Sequence, residues 1–332
     1  MISLEISDDA DKEWNKRLEK SGLGTTSQIK EAATFTKFKN QKPVFLQFID
    51  STGKIVAQLL LSEFSRFESQ PHKIKPSKKR IVANKFFKKI PGITKNVYRW
   101  SYGPLIFDSE KSAEVYEKLN SFLLSKGNQV SGWEHPLSHS HAHLLKKFKL
   151  IPWSTYIIDL NLPVDSLYEN LEKHNCRKNI ERSQKRDVII EEINETNLKE
   201  YFDLRQQNKE MGGKKNEFDF LLQRWRMLKP IGQSGFLARW KDKPVGGLLF
   251  TFHSGYILES AVARSEIDFK NKLYSQDLIR WNIIKWGVKN NMKYYDLAGF
   301  NPVPKSKKEI GIQRYKKKWG GKKYDFYNIL KQ

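Results

Sequence analysis

The chain has 332 residues, 39% hydrophobic and 13% aromatic, which excludes a disordered basic protein and is too long for one ordinary core, so two domains are expected. Lys and Arg outnumber Asp and Glu by 60 to 37, a net charge of +23 that favours polyanionic partners such as nucleic acid, anionic headgroups or nucleotide-linked substrates. A single cysteine, Cys176, excludes an internal disulfide framework and a cysteine-based zinc site, and fits a reducing cytoplasm.

The acidic N-terminus lacks the basic-then-apolar layout of a signal peptide. After an amphipathic start around Trp14 and Leu18, a helix is expected near 27–35. Residues 44–49 and 55–61 then read as a β-hairpin turning at Asp50-Ser51-Thr52-Gly53. The basic, proline-punctuated stretch from Pro71 to Arg80 reads as an exposed excursion. A helix follows at 109–126 and an extended segment at 128–133. Residues 137–150 carry His139, His141 and His143, which on a strand would share a face as metal ligands. Leu144, Leu145, Phe148 and Leu150 favour a helix instead, where the three rings scatter, and no metal site is expected.

The pattern restarts near 154. Strands are expected at 155–160, 188–192, 235–240, 245–252, 256–262 and 293–297, and helices at 167–186, 197–209, 218–227 and 275–289. The apolar run from Pro244 to Ala263 is interrupted by His253, Glu259 and glycines, so it reads as core strands, and no transmembrane segment is expected. The alternation predicts a mixed α/β fold with antiparallel hairpins, and the first half repeats the outline in shorter form. Two units with a boundary near 150 follow, 1–150 and 151–332.

Near the C-terminus, a short strand ends at Asp296. A loop with Pro302 and Pro304 and a basic segment carrying Ile310, Ile312, Tyr315 and Trp319 follow, closed by Gly320-Gly321. A carboxylate at a strand's carboxyl end beside a loop and lysines is how an α/β enzyme presents a polar substrate, although a solvated basic helix has the same composition.

Several passages together resemble the FemABX peptidyltransferases. They are Thr155-Tyr156-Ile157-Ile158-Asp159-Leu160 with the basic helix through Arg177, Arg182 and Arg186; Lys243-Pro244-Val245-Gly246-Gly247; Ser275 to Trp281; and Tyr295-Asp296-Leu297-Ala298-Gly299 with Gly311-Ile312 and Tyr315 to Gly321. Ser101-Tyr102-Gly103-Pro104 matches more loosely. The resemblance implies two tandem GNAT-like lobes, with a final strand at about 322–330 returning to the first. It also implies transfer of an activated aminoacyl or acyl group to an amine, as in peptidoglycan branching. The donor would be aminoacyl-tRNA or, less readily, acyl-CoA, with no bound cofactor. The acceptor would be an anionic cell-envelope precursor met at the inner face of the membrane.

The GNAT pyrophosphate loop needs glycines after the strand ending near Ala263. Here the sequence runs Arg264-Ser265-Glu266-Ile267-Asp268-Phe269-Lys270, which counts against acyl-CoA. Lys316 occupies the family's Phe-Lys position as the expected cationic catalyst. Asp296 either handles the acceptor amine or caps the loop, and Glu259 is a further candidate base. Arg177, Arg182, Gly299, Tyr315 and Lys318 are expected on the substrate side, and Tyr102 and Tyr256 either stack on a ligand or fill the core. A non-enzymatic RNA-binding protein is the competing class, since charge and aromatics alone would serve it.

Overall fold

The computed structural model describes residues 1–65, 96–126, 129–207 and 218–331; the Pro71 to Arg80 stretch lies outside them. The chain divides into two compact units, Met1–Ser154 with Tyr324–Gln332, and Thr155–Lys323.

The first unit is built on β1 (Ser3–Ser7), β2 (Lys42–Ile49), β3 (Ile55–Ser65), β4 (Asn96–Trp100), β5 (Leu105–Ile106) and β6 (Gln129–Trp133). Pairing is antiparallel except between β4 and β6. The hairpin expected from the sequence is β2–β3, in register from Val44 opposite Leu61 to Phe48 opposite Ala57 and shifted by one residue at Ile49 opposite Ile55. Its turn is closed by the Asp50 carboxylate, which accepts the N–H groups of Thr52 and Lys54 at 2.9 and 3.0 Å, with Gly53 at φ 84°.

Helices α1 (Trp14–Ser21), α2 (Ala32–Phe38) and α3 (Ser112–Ser125) accompany this sheet. Helix α3 buries Val115, Tyr116, Leu119, Phe122 and Leu123, one stripe at helical spacing. The helix expected at 27–35 begins only at Ala32. Gln28 is diverted by its side chain, which accepts the Leu60 N–H and donates to the Leu60 and Ser101 carbonyls as a substitute strand partner. The expected helix at 137–150 is also not formed; only Ala142–Leu144 makes a single 3-10 turn. Ser112 Oγ holds the His139 carbonyl and meets His141 Nδ1, both within 2.9 Å, and Ser140 is tied to Glu134, so polar bonds to α3 and to the end of β6 outcompete the helix. The last strand, β13 (Lys322–Lys331), returns to pair antiparallel with β6, Asn328 opposite Trp133. The buried Glu134 carboxylate accepts the Tyr327 N–H at 2.9 Å.

In the second unit the order is β7 (Lys149–Asp159), β12 (Tyr294–Asp296), β11 (Tyr256–Arg264), β10 (Lys243–His253), β9 (Gln233–Trp240) and β8 (Ile189–Glu192). All pairs are antiparallel except β11 with β12, a parallel pair that needs a crossover. The crossover contains α8 (Glu266–Lys270) and α9 (Ser275–Lys289). Helix α9 is buried on most sides, with Leu278, Ile279, Trp281, Ile283 and Ile284 in the core and Gln276, Asp277 and Arg280 buried beside them. It approaches β10 closely because Gly246 has no side chain: a Cβ there would lie 2.3 Å from Ser275 Oγ.

The remaining helices are α4 (Val164–Glu169), α5 (Lys178–Lys185), α6 (Leu198–Gln207), α7 (Phe218–Leu228) and α10 (Lys307–Lys317). The single helix expected over 167–186 is broken into α4, a π-turn at Lys173–Arg177, and α5. The Glu172 carboxylate restarts the helix by accepting the N–H groups of His174 and Asn175 at 3.0 and 2.7 Å. Among the described residues, no helix is long and apolar enough to cross a membrane.

Candidate active site

Strand β12 ends at Asp296 and the chain turns at once, with Ala298 in the left-handed region at φ 62°. The fully buried Asp296 carboxylate caps this turn, accepting the Ala298 N–H at 2.8 Å. It also accepts the Thr155 hydroxyl and, at 2.6 Å, the Tyr256 hydroxyl. Thr155 lies on β7 and Tyr256 on β11, the two strands flanking β12, so strand order alone brings these groups together.

Lys316, in the last turn of α10, donates to the carbonyls of Leu297, Ala298 and Gly299 at 2.6, 2.7 and 3.1 Å. Three acceptors match the three hydrogens of an ammonium. Burial draws its pKa down to about 8, while the charges of Glu259 and Asp296 pull the other way.

A second buried group anchors α10. Arg280 of α9 grips Glu259 of β11 with two bonds, at 2.6 and 2.9 Å, and donates to the Tyr315 hydroxyl at 2.9 Å. The Tyr295 hydroxyl donates to Glu259 at 2.7 Å. Burial works against the guanidinium's charge, but the carboxylate of Glu259, backed by Tyr315 and Tyr295, outweighs it and raises the Arg280 pKa. Burial likewise raises the phenols of Tyr295 and Tyr315. Lys318 pairs with the Asp277 carboxylate, donates to the Asn175 carbonyl at 3.0 Å and lies 4.1 Å from the Tyr315 ring centre. Trp319 is buried, and Gly320, at φ 75°, passes so close to Asn170 that a Cβ would lie 2.5 Å from its carbonyl oxygen. The C-terminal end of α10 is therefore tied at four points, whereas no residue within the helix is fully buried and Ile310 and Ile312 remain exposed.

Of the expected catalytic residues, Asp296 and Glu259 are sealed and engaged by hydroxyl, N–H and guanidinium donors, and Lys316 is half-buried. Gly299 contributes its carbonyl to the lysine. The Tyr256 ring is buried with its hydroxyl on Asp296. Tyr102 belongs to the first unit, buried at φ 54° against His135 and Phe326. Arg177 is half-buried at the end of the π-turn, and Arg182 is exposed on α5. Among the described residues, no group of three His, Cys, Asp or Glu is arranged to hold a metal ion. The buried Cys176 thiol has its pKa pushed up to about 12 by burial, the opposite of an activated nucleophile.

Sequence reasoning gave no role to Thr155, Asp277, Arg280 or Tyr295. The signal for two of them was present: Asp277 and Arg280 are charges interleaved with Leu278, Ile279, Trp281, Ile283 and Ile284, and charges on the buried part of a helix imply paired groups.

The connection from β11 to α9 departs from a coenzyme-binding loop. Ser265 caps α8, its hydroxyl accepting the Asp268 N–H at 3.2 Å. The Asp268 carboxylate, fully buried, accepts the N–H of Ser275, the first residue of α9, at 2.9 Å and pairs with Arg264. The helix N-terminus that would receive a diphosphate already holds an internal anion.

No protein-family model matches the sequence, and no curated protein does. Among solved structures, the crystal structure of FemX aligns over 97% of this chain and 96% of its own, with a TM-score of 0.67 at 14% identity. The chain shares the fold of FemX. The tandem GNAT protein from the clavulanic acid biosynthesis pathway aligns with a TM-score of 0.54 at 9% identity, covering 99% of this chain and 98% of its own. L-PGS from Bacillus licheniformis aligns with a TM-score of 0.53 at 12% identity, covering 98% and 94%. The tandem GNAT-like fold expected from the FemABX-like motifs is thus the fold observed. In this FemX-like fold the C-terminal motif residues Asp296, Gly299, Tyr315, Lys316 and Lys318 form one connected group beyond β12.

Proposed function

We propose that this chain is an aminoacyltransferase that moves an activated aminoacyl group onto an amine of an anionic cell-envelope precursor. The observation that carries the reading is the Lys316 ammonium, desolvated at the carboxyl end of β12 and held by three successive carbonyls. In the reaction the neutral acceptor nitrogen attacks the ester carbonyl carbon and the carbonyl oxygen gains negative charge; the ester C–O bond then breaks, the leaving oxygen departing as the donor's hydroxyl once it takes up the proton lost by the nitrogen. A positioned cation beside that oxygen lowers the barrier, and an activated ester leaves little else for the protein to supply. The longest of the three lysine bonds, 3.1 Å to Gly299, is the one most readily exchanged for a substrate oxygen. Asp296, Thr155 and Tyr256 act as positioning residues that shape the turn, and Glu259 and Arg280 hold Tyr315 beneath the lysine's helix.

The donor we favour is an aminoacyl-tRNA. The net charge of +23 suits a polyanion, and Asp268 occupies the helix N-terminus on which a coenzyme diphosphate would rest. FemX and L-PGS share the fold, which supports the reading without fixing the acceptor. Contact with the inner face of the membrane would follow from a lipid-linked acceptor.

The test offers purified protein a labelled aminoacyl-tRNA or labelled acetyl-CoA, with envelope-precursor amines as acceptors. Label should reach the acceptor from the tRNA alone, and Lys316→Met should lower kcat by about 10²- to 10³-fold, the usual effect of removing one oxyanion donor. Transfer from acetyl-CoA, or full activity in Lys316→Met, would overturn the reading.

A further inference from the structure

The connection between β11 and α9 carries a second feature that the transfer chemistry does not use. Phe269, on α8, is 58% exposed, a large aromatic ring left in water on the same short loop whose Asp268 is sealed. The Arg264 guanidinium lies 3.5 Å from the centre of that ring and is itself fixed by its pairing with Asp268. Five residues on, Tyr274 places its ring 5.8 Å from the guanidinium of Arg182 and 5.8 Å from that of Arg186, arginines one turn apart on and just beyond α5.

The backbone that presents these rings is unfavourable on its own. Lys272 and Tyr274 both sit in the left-handed region, at φ 51° and 55°. Residues held this way persist only where surrounding contacts over-determine them, and they concentrate at ligand clamps. Here the contacts are plain. Leu273 between them is completely buried, its N–H donates to the Asp268 carbonyl at 3.0 Å, and Arg186 donates to the Lys272 carbonyl. The neighbouring acidic side chains are all engaged: Asp268 is paired with Arg264, Asp277 with Lys318, and the exposed Glu266 with Lys270 at 3.4 Å.

We infer that this loop is a stacking platform for an unpaired nucleic-acid end, with bases lying on Phe269 and Tyr274 and phosphates held by Arg182 and Arg186. An exposed ring backed by a guanidinium offers a π-face to any base, and arginine pairs bidentately with phosphate, the combination by which proteins hold single strands. Aromatic exposure favours a nucleic-acid end over a simple diphosphate, which needs no rings. The inference deepens the proposed aminoacyl-tRNA donor by naming where its single-stranded end binds, but it concerns binding alone and is tested without turnover.

The probe is a labelled RNA hairpin carrying a four-nucleotide unpaired 3′ extension, compared with the same hairpin ending flush, in anisotropy titrations at physiological salt. The extended hairpin should bind at least about 10-fold tighter than the flush one, in line with stacking of one to two bases. Phe269→Ala should erase that difference, and Arg182→Ala with Arg186→Ala should weaken the extended hairpin and flatten its salt dependence. Phe269→Leu, which keeps an apolar side chain without a π-face, separates stacking from folding when read beside unchanged thermal unfolding. Equal affinity for the two hairpins, or an extension preference that survives Phe269→Ala, would overturn the inference. So would binding of anionic phosphatidylglycerol vesicles that is lost in Phe269→Ala while RNA binding is kept. If the extension is bound as described but no aminoacyl group is transferred, the platform stands and the transfer reading falls.

Discussion

Arg280 and Glu259 meet in the interior of the second unit as a two-bond pair, Nε to Oε1 at 2.6 Å and Nη2 to Oε2 at 2.9 Å, with both side chains almost sealed from water. The pair joins α9 to β11 and, through Tyr315, fixes the end of α10 on which Lys316 rides. Its value lies in position more than in attraction, because desolvating two charges consumes much of what their pairing returns.

Removing one partner should therefore be worse than removing both. Glu259→Gln or Arg280→Met should each cost about 3–5 kcal/mol of stability, since each leaves a buried charge unmatched. The double variant Glu259→Leu with Arg280→Met should recover a large part of that loss. Urea unfolding of the three variants measures it, and a double variant less stable than both singles would contradict the account.

The lowered pKa of Lys316 has two consequences with opposite signs. Its folded-state value of about 8 lies below the ordinary 10.5, so the unfolded chain holds the proton more tightly between those values. Stability should rise as pH increases from about 8 towards 10.5, and this increment should vanish in Lys316→Met. Transfer that depends on the charged amine should instead fall as pH rises through about 8. Parallel pH series of thermal unfolding and of kcat separate the two, and a kcat that climbs above that pH would mean the neutral amine is the working form.

Gly320→Ala should destabilise the second unit by a few kcal/mol, about 1–2 from the left-handed backbone and the remainder from collision with the Asn170 carbonyl. Because the affected turn follows Trp319 directly, kcat should drop along with the midpoint of denaturation. A variant with wild-type stability would show that the turn can relax.

Much of this protein is written in local patterns. The β2–β3 hairpin followed from two apolar runs flanking Asp50-Ser51-Thr52-Gly53, and α9 from an amphipathic pattern of helical length, because such signals act between neighbouring residues. The helices expected at 27–35 and 137–150 give way where a polar side chain finds a better partner elsewhere in the fold: Gln28 on Leu60, and Ser112 on His139 and His141. The fate of the site's charges was likewise undecidable from the chain alone. Lys316, Lys317 and Lys318 are three neighbouring cations in sequence, yet one is caged by the carbonyls after Asp296, one is exposed, and one is paired with Asp277. Helical geometry turns adjacent residues about 100° apart, so which lysine faces the core depends on where α10 lands. Composition and the order of apolar patterns determined that this is a basic α/β chain of two units. Only the tertiary structure decided which charges are buried and what each one holds, because desolvation and pairing depend on contacts between residues more than a hundred positions apart, as with Thr155 and Asp296.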